Sequence, residues 1–116
     1  MIESHKDLKV GQESMILVED VYKITATFPK EELFGLTSQL KRSSVSVPSN
    51  IAEGAGRRGK TEFMRFLYIA MGSLSELDTQ LELAERLSFW KRDEEIFKRL
   101  YYIKSMLAKL IKSLDR

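Results

Sequence analysis

Residues 61–88 read TEFMRFLYIAMGSLSELDTQLELAERLS, and the spacing of their apolar side chains decides the fold. Phe63, Leu67, Ala70, Leu74, Leu77, Leu81 and Ala84 recur at unbroken steps of four and three, the period that lines one face of a helix. Met64, Tyr68 and Met71 form a second stripe beside the first. A helix apolar on two sides needs two partners, so this one is expected at the centre of a bundle or against another subunit.

Working outward, the same period appears three more times. Towards the C-terminus it runs through Ile96, Leu100, Ile103, Leu107, Leu110 and Leu114, flanked by Phe97, Tyr101, Ala108 and Ile111. Towards the N-terminus it runs through Leu33, Leu36, Leu40, Ser44, Val47 and Ile51, opening at the acidic pair Glu31 and Glu32, which suits the positive end of a helix dipole. The first segment carries Val10, Leu17, Val21, Ile24 and Phe28, with Ser14 filling the vacant step and Pro29 closing the run. Pro48 removes one backbone hydrogen bond from the second segment, which predicts a kink near Ser44 with Ser43, Ser44 and Ser46 serving the freed carbonyl. The alternative is a full break, with Ser49 or Asn50 and Glu53 forming a capping box. The expectation is an all-α, single-domain, antiparallel up-and-down four-helix bundle, with helices over roughly 8–28, 31–56, 61–88 and 93–115, joined by short links.

Composition agrees with that class. The chain has 116 residues, 43% hydrophobic and 31% charged, with two prolines and no cysteine. That length buries a sufficient core without metal or disulfide staples. Absence of cysteine excludes a disulfide framework and a thiolate nucleophile, and suits a reducing cytoplasm. Residues 1–10, MIESHKDLKV, lack the apolar core of a signal peptide, and no run approaches the roughly 20 apolar residues that span a bilayer. The net charge of +2 is unevenly spread, since basic residues exceed acids in residues 31–60 and again in 91–116. A basic face of that kind attracts phosphate backbones or acidic proteins; otherwise it keeps the helices soluble.

The most conspicuous short motif is GAGRRGKT at residues 54–61, which satisfies the phosphate-loop pattern and contains G-x-G-x-x-G at Gly54, Gly56 and Gly59. That chemistry needs a buried strand before the loop and an acid on a neighbouring strand for magnesium, and only the following helix is in view. A weaker function survives: a glycine-rich link ending at a helix N-terminus, with Arg57, Arg58 and Lys60 beside it and Thr61 as N-cap, suits phosphate contact. The plainer alternative is that the glycines only turn the chain.

Other chemistry finds no constellation. His5 is the single histidine and lies outside the helical pattern, so the Glu-x-x-His pairs of a di-iron bundle cannot be built. The serines at 43, 44 and 46 lack an activating base. Asn50 and Glu53 read as structural partners, Glu76, Asp78, Glu82 and Glu85 as an outward acidic face, and Phe89 and Trp90 as a lid on the bundle end. No catalytic residue, metal or cofactor is expected.

The segments QLKR (39–42), SVPSNIAEG (46–54), RFLYIA (65–70) and GSLSEL (72–77), in this order and spacing, resemble the four-helix-bundle family encoded in intervening sequences of 23S ribosomal RNA genes. The likeness extends to YKITATFPKEELF (22–34) and the leucine-rich final segment. One departure is Gly11, where members often carry a bulky aromatic, usually tryptophan. The resemblance implies a protomer that assembles into a ring-like pentamer and works without catalysis. It also implies kinship with the accessory variability protein of diversity-generating retroelements, a basic pentameric barrel that engages nucleic acid and a reverse transcriptase. Carried onto this chain, the suggested nucleic-acid contacts are Lys41, Arg42, Arg57, Arg58, Lys60 and Arg65. The expected role is thus a homo-oligomeric scaffold touching RNA or DNA, the alternative being a protein-interaction module.

Overall fold

The computed structural model describes residues 8–115, so His5 lies outside the described residues. Four helices follow in order: α1 (Lys9–Thr25), α2 (Leu36–Ala55), α3 (Lys60–Arg86) and α4 (Glu94–Leu114), and no strand occurs among the described residues. Each helix packs on the next, and α4 closes against α1. The seams read from the sequence are the core: Leu17, Val21, Leu40, Val47, Ile51, Leu67, Leu74, Leu77, Leu81, Leu100, Ile103 and Leu107 are fully buried. No helix among the described residues is long and apolar enough to cross a membrane.

The helix ends differ from expectation for local reasons. α1 stops at Thr25 rather than Phe28, because Thr25, Thr27 and the chain amides of Thr27 and Phe28 turn back onto carbonyls of its last turn. Phe28 then swings in against Phe89, ring centroids 5.7 Å apart. The second helix starts at Leu36, not Glu31. Residues Lys30–Glu32 form one turn of 3₁₀ helix instead, and the Glu32 carboxylate accepts a hydrogen bond from the Leu36 amide at 3.1 Å. Leu33, read as the first core position of that segment, is therefore outside the core and half exposed. α3 opens at Gly59, whose φ of +88° favours glycine, so Thr61 lies inside the first turn and is not the N-cap. α4 is capped by Asp93, whose carboxylate accepts from the Glu95 amide at 3.0 Å.

α2 runs unbroken through Pro48, so the chain does not restart at Ser49 or Asn50. The serines do not serve the carbonyl that Pro48 frees. Ser43 donates to Gln80 Oε1 of α3 at 2.7 Å, and Ser44 bonds the Lys41 carbonyl. Asn50 Nδ2 donates to Ser46 Oγ, which lies 2.8 Å from Ser73 Oγ, and Ser73 reaches the Ile69 carbonyl. These groups form a hydrogen-bonded polar line between α2 and α3. At its lower end Gly54 lets the helices touch, since a Cβ there would lie 2.8 Å from Phe66 Cβ and 3.0 Å from Phe63 Cδ1.

The surplus apolar surface is distributed otherwise than the stripes imply. Met64 and Met71 pack on the core, and Phe97 and Ile111 belong to it, so of the flanking set Tyr68, Tyr101 and Ala108 stay exposed. Exposed apolar side chains also occur on α1 and α2, at Met15, Tyr22 and Val45, and in the link before α2, at Leu33 and Phe34. Phe89 and Trp90 do form the lid: Trp90 Nε1 donates to the Leu81 carbonyl at 3.0 Å and its ring stacks on Phe97.

Candidate nucleic-acid interface

The six basic candidates fall into two groups. Lys41 and Arg42 stand near the start of α2, whereas Arg57 follows its end, 15 residues and about 22 Å further along the axis. They do not form one patch along this helix. Lys41 places its ammonium 4.8 Å from the centre of the Tyr22 ring on α1. Arg42 borders a polar hollow of about 360 Å³ between α2 and α3, with Gln39, Glu76 and Gln80.

The second group gathers at the α2–α3 corner. Arg57 pairs with Glu53 one turn earlier at 2.9 Å, and Arg65 pairs with Glu62 at 3.0 Å. Both guanidiniums also lie over the Phe66 ring, at 5.1 and 4.8 Å from its centre. Phe66 is thus gripped by one cation from the link after α2 and one from α3, an arrangement worth about 0.5–1 kcal/mol per contact at an exposed site. Arg58 is exposed in the link, and Lys60 is the exposed first residue of α3. Exposed ion pairs of this kind contribute little and exchange readily, so Arg57 and Arg65 remain able to turn to a phosphate. Four basic side chains against Glu53 and Glu62 leave the corner net positive.

Topology adds to this end of the bundle. α4 runs down alongside α3, so its last two turns, with exposed Lys109 and Lys112, finish at the end where α3 begins. Part of each basic quarter of the sequence, Arg57, Arg58 and Lys60 from one and Lys109 and Lys112 from the other, is thus brought to one end, while Lys41, Arg42, Lys98 and Arg99 lie nearer the other. Phe66 and the α4 lysines were missed as site residues. The ion pairs were legible in the spacings 53–57 and 62–65, but the shared ring joins a residue of the link to one of α3 and leaves no periodic signal.

Where pKa values move, they move away from neutrality. Lys9 is raised by its hydrogen bond to Tyr102, Arg92 by its hydrogen bonds to Glu85 and Glu94, and Tyr101 by desolvation and the nearby Asp78 carboxylate. None of these three becomes a general base near pH 7. The phosphate-loop motif is not built as one: Gly54 and Ala55 are helical residues of α2, and the loop joins two helices instead of following a strand.

Comparison with solved structures finds a protein of unknown function from the S23 ribosomal protein family of Bacteroides thetaiotaomicron VPI-5482. It superposes with a TM-score of 0.82 at 24% identity, over 89% of this chain and 98% of that one. Identity this low speaks for a shared fold alone. Comparison with curated proteins finds no match. The family model described as the 23S rRNA-intervening sequence protein matches residues 6–113, nearly the whole chain. Four helices in this order and a match of this extent carry one conclusion: the chain belongs to the family of 23S rRNA-intervening sequence proteins.

Proposed function

We propose that this protein is a non-enzymatic helical scaffold that assembles with copies of itself, as a pentamer, and holds RNA or DNA against the basic end of its bundle. The observation that carries the nucleic-acid half is the α2–α3 corner, where Arg57 and Arg65 lie over Phe66 and exposed Arg58 and Lys60 follow in the chain between them. Guanidiniums and an ammonium supply phosphate contacts, and the half-buried ring gives the Arg57 and Arg65 guanidiniums a common support. Self-assembly is supported by the exposed apolar side chains on every helix, and the subunit number by likeness to ring-forming relatives. A reverse transcriptase is the type of protein partner that the same likeness suggests. A chain without cysteine suits the cytoplasm, where we place its action.

Filter binding to single-stranded RNA across a salt series tests this. Engagement of all four basic side chains predicts a log–log slope of roughly −3. Replacing Arg57, Arg58, Lys60 and Arg65 together by alanine should remove the binding. Retention that is indifferent to salt, or equal for the variant, overturns the reading. The second reading, a protein-interaction module without nucleic acid, is favoured by exposed Tyr68, Ile69 and Leu83 on α3 and Leu87 just past its end. It predicts that the same variant keeps its pull-down partners.

A further inference from the structure

One aromatic side chain stands out from the surface. Phe34 is 92% exposed and Leu33 beside it 52%. A solvent-facing pair of this size is ordinary on a floppy loop, but the turn that presents them is held throughout. The Glu32 amide bonds the Pro29 carbonyl, Leu33 that of Lys30 and Gly35 that of Glu32, while the Glu32 carboxylate holds the Leu36 amide. The turn is closed tightly enough that a Cβ on Gly35 would meet Glu32 Oε1 at 2.9 Å. The molecule therefore holds an apolar knob in a set position with most of its surface in water.

A matching hollow lies elsewhere on the same chain. α1 and α2 leave between them an apolar groove of about 480 Å³, lined by Met15, Val18, Val45, Pro48 and Ala52 with Glu19 at its rim. Val45 also borders the adjoining hollow, which carries Tyr22, Lys41 and Arg42. Phe34 cannot fill its own chain's groove. Its nearest lining residues, Glu19 and Val45, lie six residues below the top of α1 and nine below the start of α2, so the groove begins about 9–14 Å along the bundle axis from the knob, beyond the reach of a phenylalanine side chain.

We propose that the Leu33–Phe34 knob of one copy seats in the α1–α2 groove of a second copy, an inference that rests on the homo-oligomer reading above. Charge complements the fit in both senses. The knob is preceded by Lys30 and Glu31, both exposed, while the groove offers Glu19 on one side and Lys41 and Arg42 on the other. The knob thus brings a cation and an anion to a groove flanked by an anion and two cations, so ion pairing adds to apolar docking. Because knob and groove are different surfaces, the contact is head-to-tail. Each added copy still shows one free knob and one free groove, and the chain of contacts ends only when a ring closes.

Light scattering on a sizing column tests this with Phe34→Ala, which removes the knob, and Val45→Glu, which puts a carboxylate at the groove. Both positions are exposed, and circular dichroism should show wild-type helix content. Each variant alone should elute as a single 13.4 kDa chain where the wild type elutes as an assembly. Mixed in equal amounts, the variants retain one good knob and one good groove between them, and a dimer-sized species should return. Folded variants that assemble like the wild type, or a mixture that stays monomeric, overturn the knob-and-groove contact while leaving self-assembly standing. A monomeric wild type overturns self-assembly itself.

Discussion

The seam between α2 and α3 is closed by small residues and neutral hydrogen bonds, whereas that between α1 and α4 is closed by charge. Along the first, Gly54 sits against two phenylalanines, Ser46 meets Ser73, and Ser43 meets Gln80. Along the second, Arg99 of α4 bonds Glu13 and lies 3.4 Å from Asp20, an ion-pair distance without hydrogen-bond geometry, both acids being on α1. Neutral bonds between short side chains need the backbones close and in one register. A long arginine tolerates more separation and more play. The difference assigns rigidity to the α2–α3 half and adjustability to the closing helix. It also locates the family likeness, because SVPSNIAEG and GSLSEL supply Ser46, Asn50, Gly54 and Ser73, all at the rigid seam. Those segments describe packing more than a binding site.

The largest expected effect comes from opening that seam. Gly54→Val drives a branched side chain into space held by Phe63 and Phe66, and overpacking of this type costs about 3 kcal/mol. The corner carrying Arg57 and Arg65 is displaced with it, so RNA retention should fall together with stability. Urea unfolding that shows a loss below about 0.5 kcal/mol would mean the seam is looser than the contact distances imply.

These two seams were unequally legible. Four helices could be read because every core position repeats within its own segment, and seams of that length are the strongest signal a sequence carries. The polar line could not, because Ser46 and Ser43 find partners 27 and 37 residues away. Local reasoning assigned those hydroxyls to Pro48. The start of α2 was misplaced for a related reason: Leu33, Leu36 and Leu40 are in phase, so the period ran on across Gly35, where a carboxylate four residues upstream of Leu36 starts the helix. Of the candidate site, the basic residues were visible as composition. Their division into two groups and their grip on Phe66 depend on how the helices lie side by side.

A smaller effect is expected from Gln80→Leu, which keeps the volume of the seam but takes the acceptor from Ser43. The hydroxyl retains the Leu40 carbonyl at 3.3 Å, so it is not stranded. The loss should be about 1–1.5 kcal/mol and the same at low and high salt, as befits a neutral bond. A salt-dependent loss would place charge at this seam and erase the contrast with the other.

The smallest effect, and the most diagnostic, belongs to the charged seam. Arg99→Met keeps the apolar stem and removes the guanidinium, leaving Glu13 and Asp20 to face α4 without their cation. The arginine side chain is 31% exposed and its acids 19% and 28%, so water screens the pair, and the loss should be only about 1 kcal/mol at physiological ionic strength. Its signature is the response to salt. At 1 M the screening length falls to about 3 Å, and the difference between wild type and variant should shrink towards zero, while that of Gln80→Leu stays fixed. If Arg99→Met instead costs as much as the glycine change at every salt concentration, α4 is clamped as rigidly as α3. The bundle would then lack the adjustable side that the comparison assigns to it.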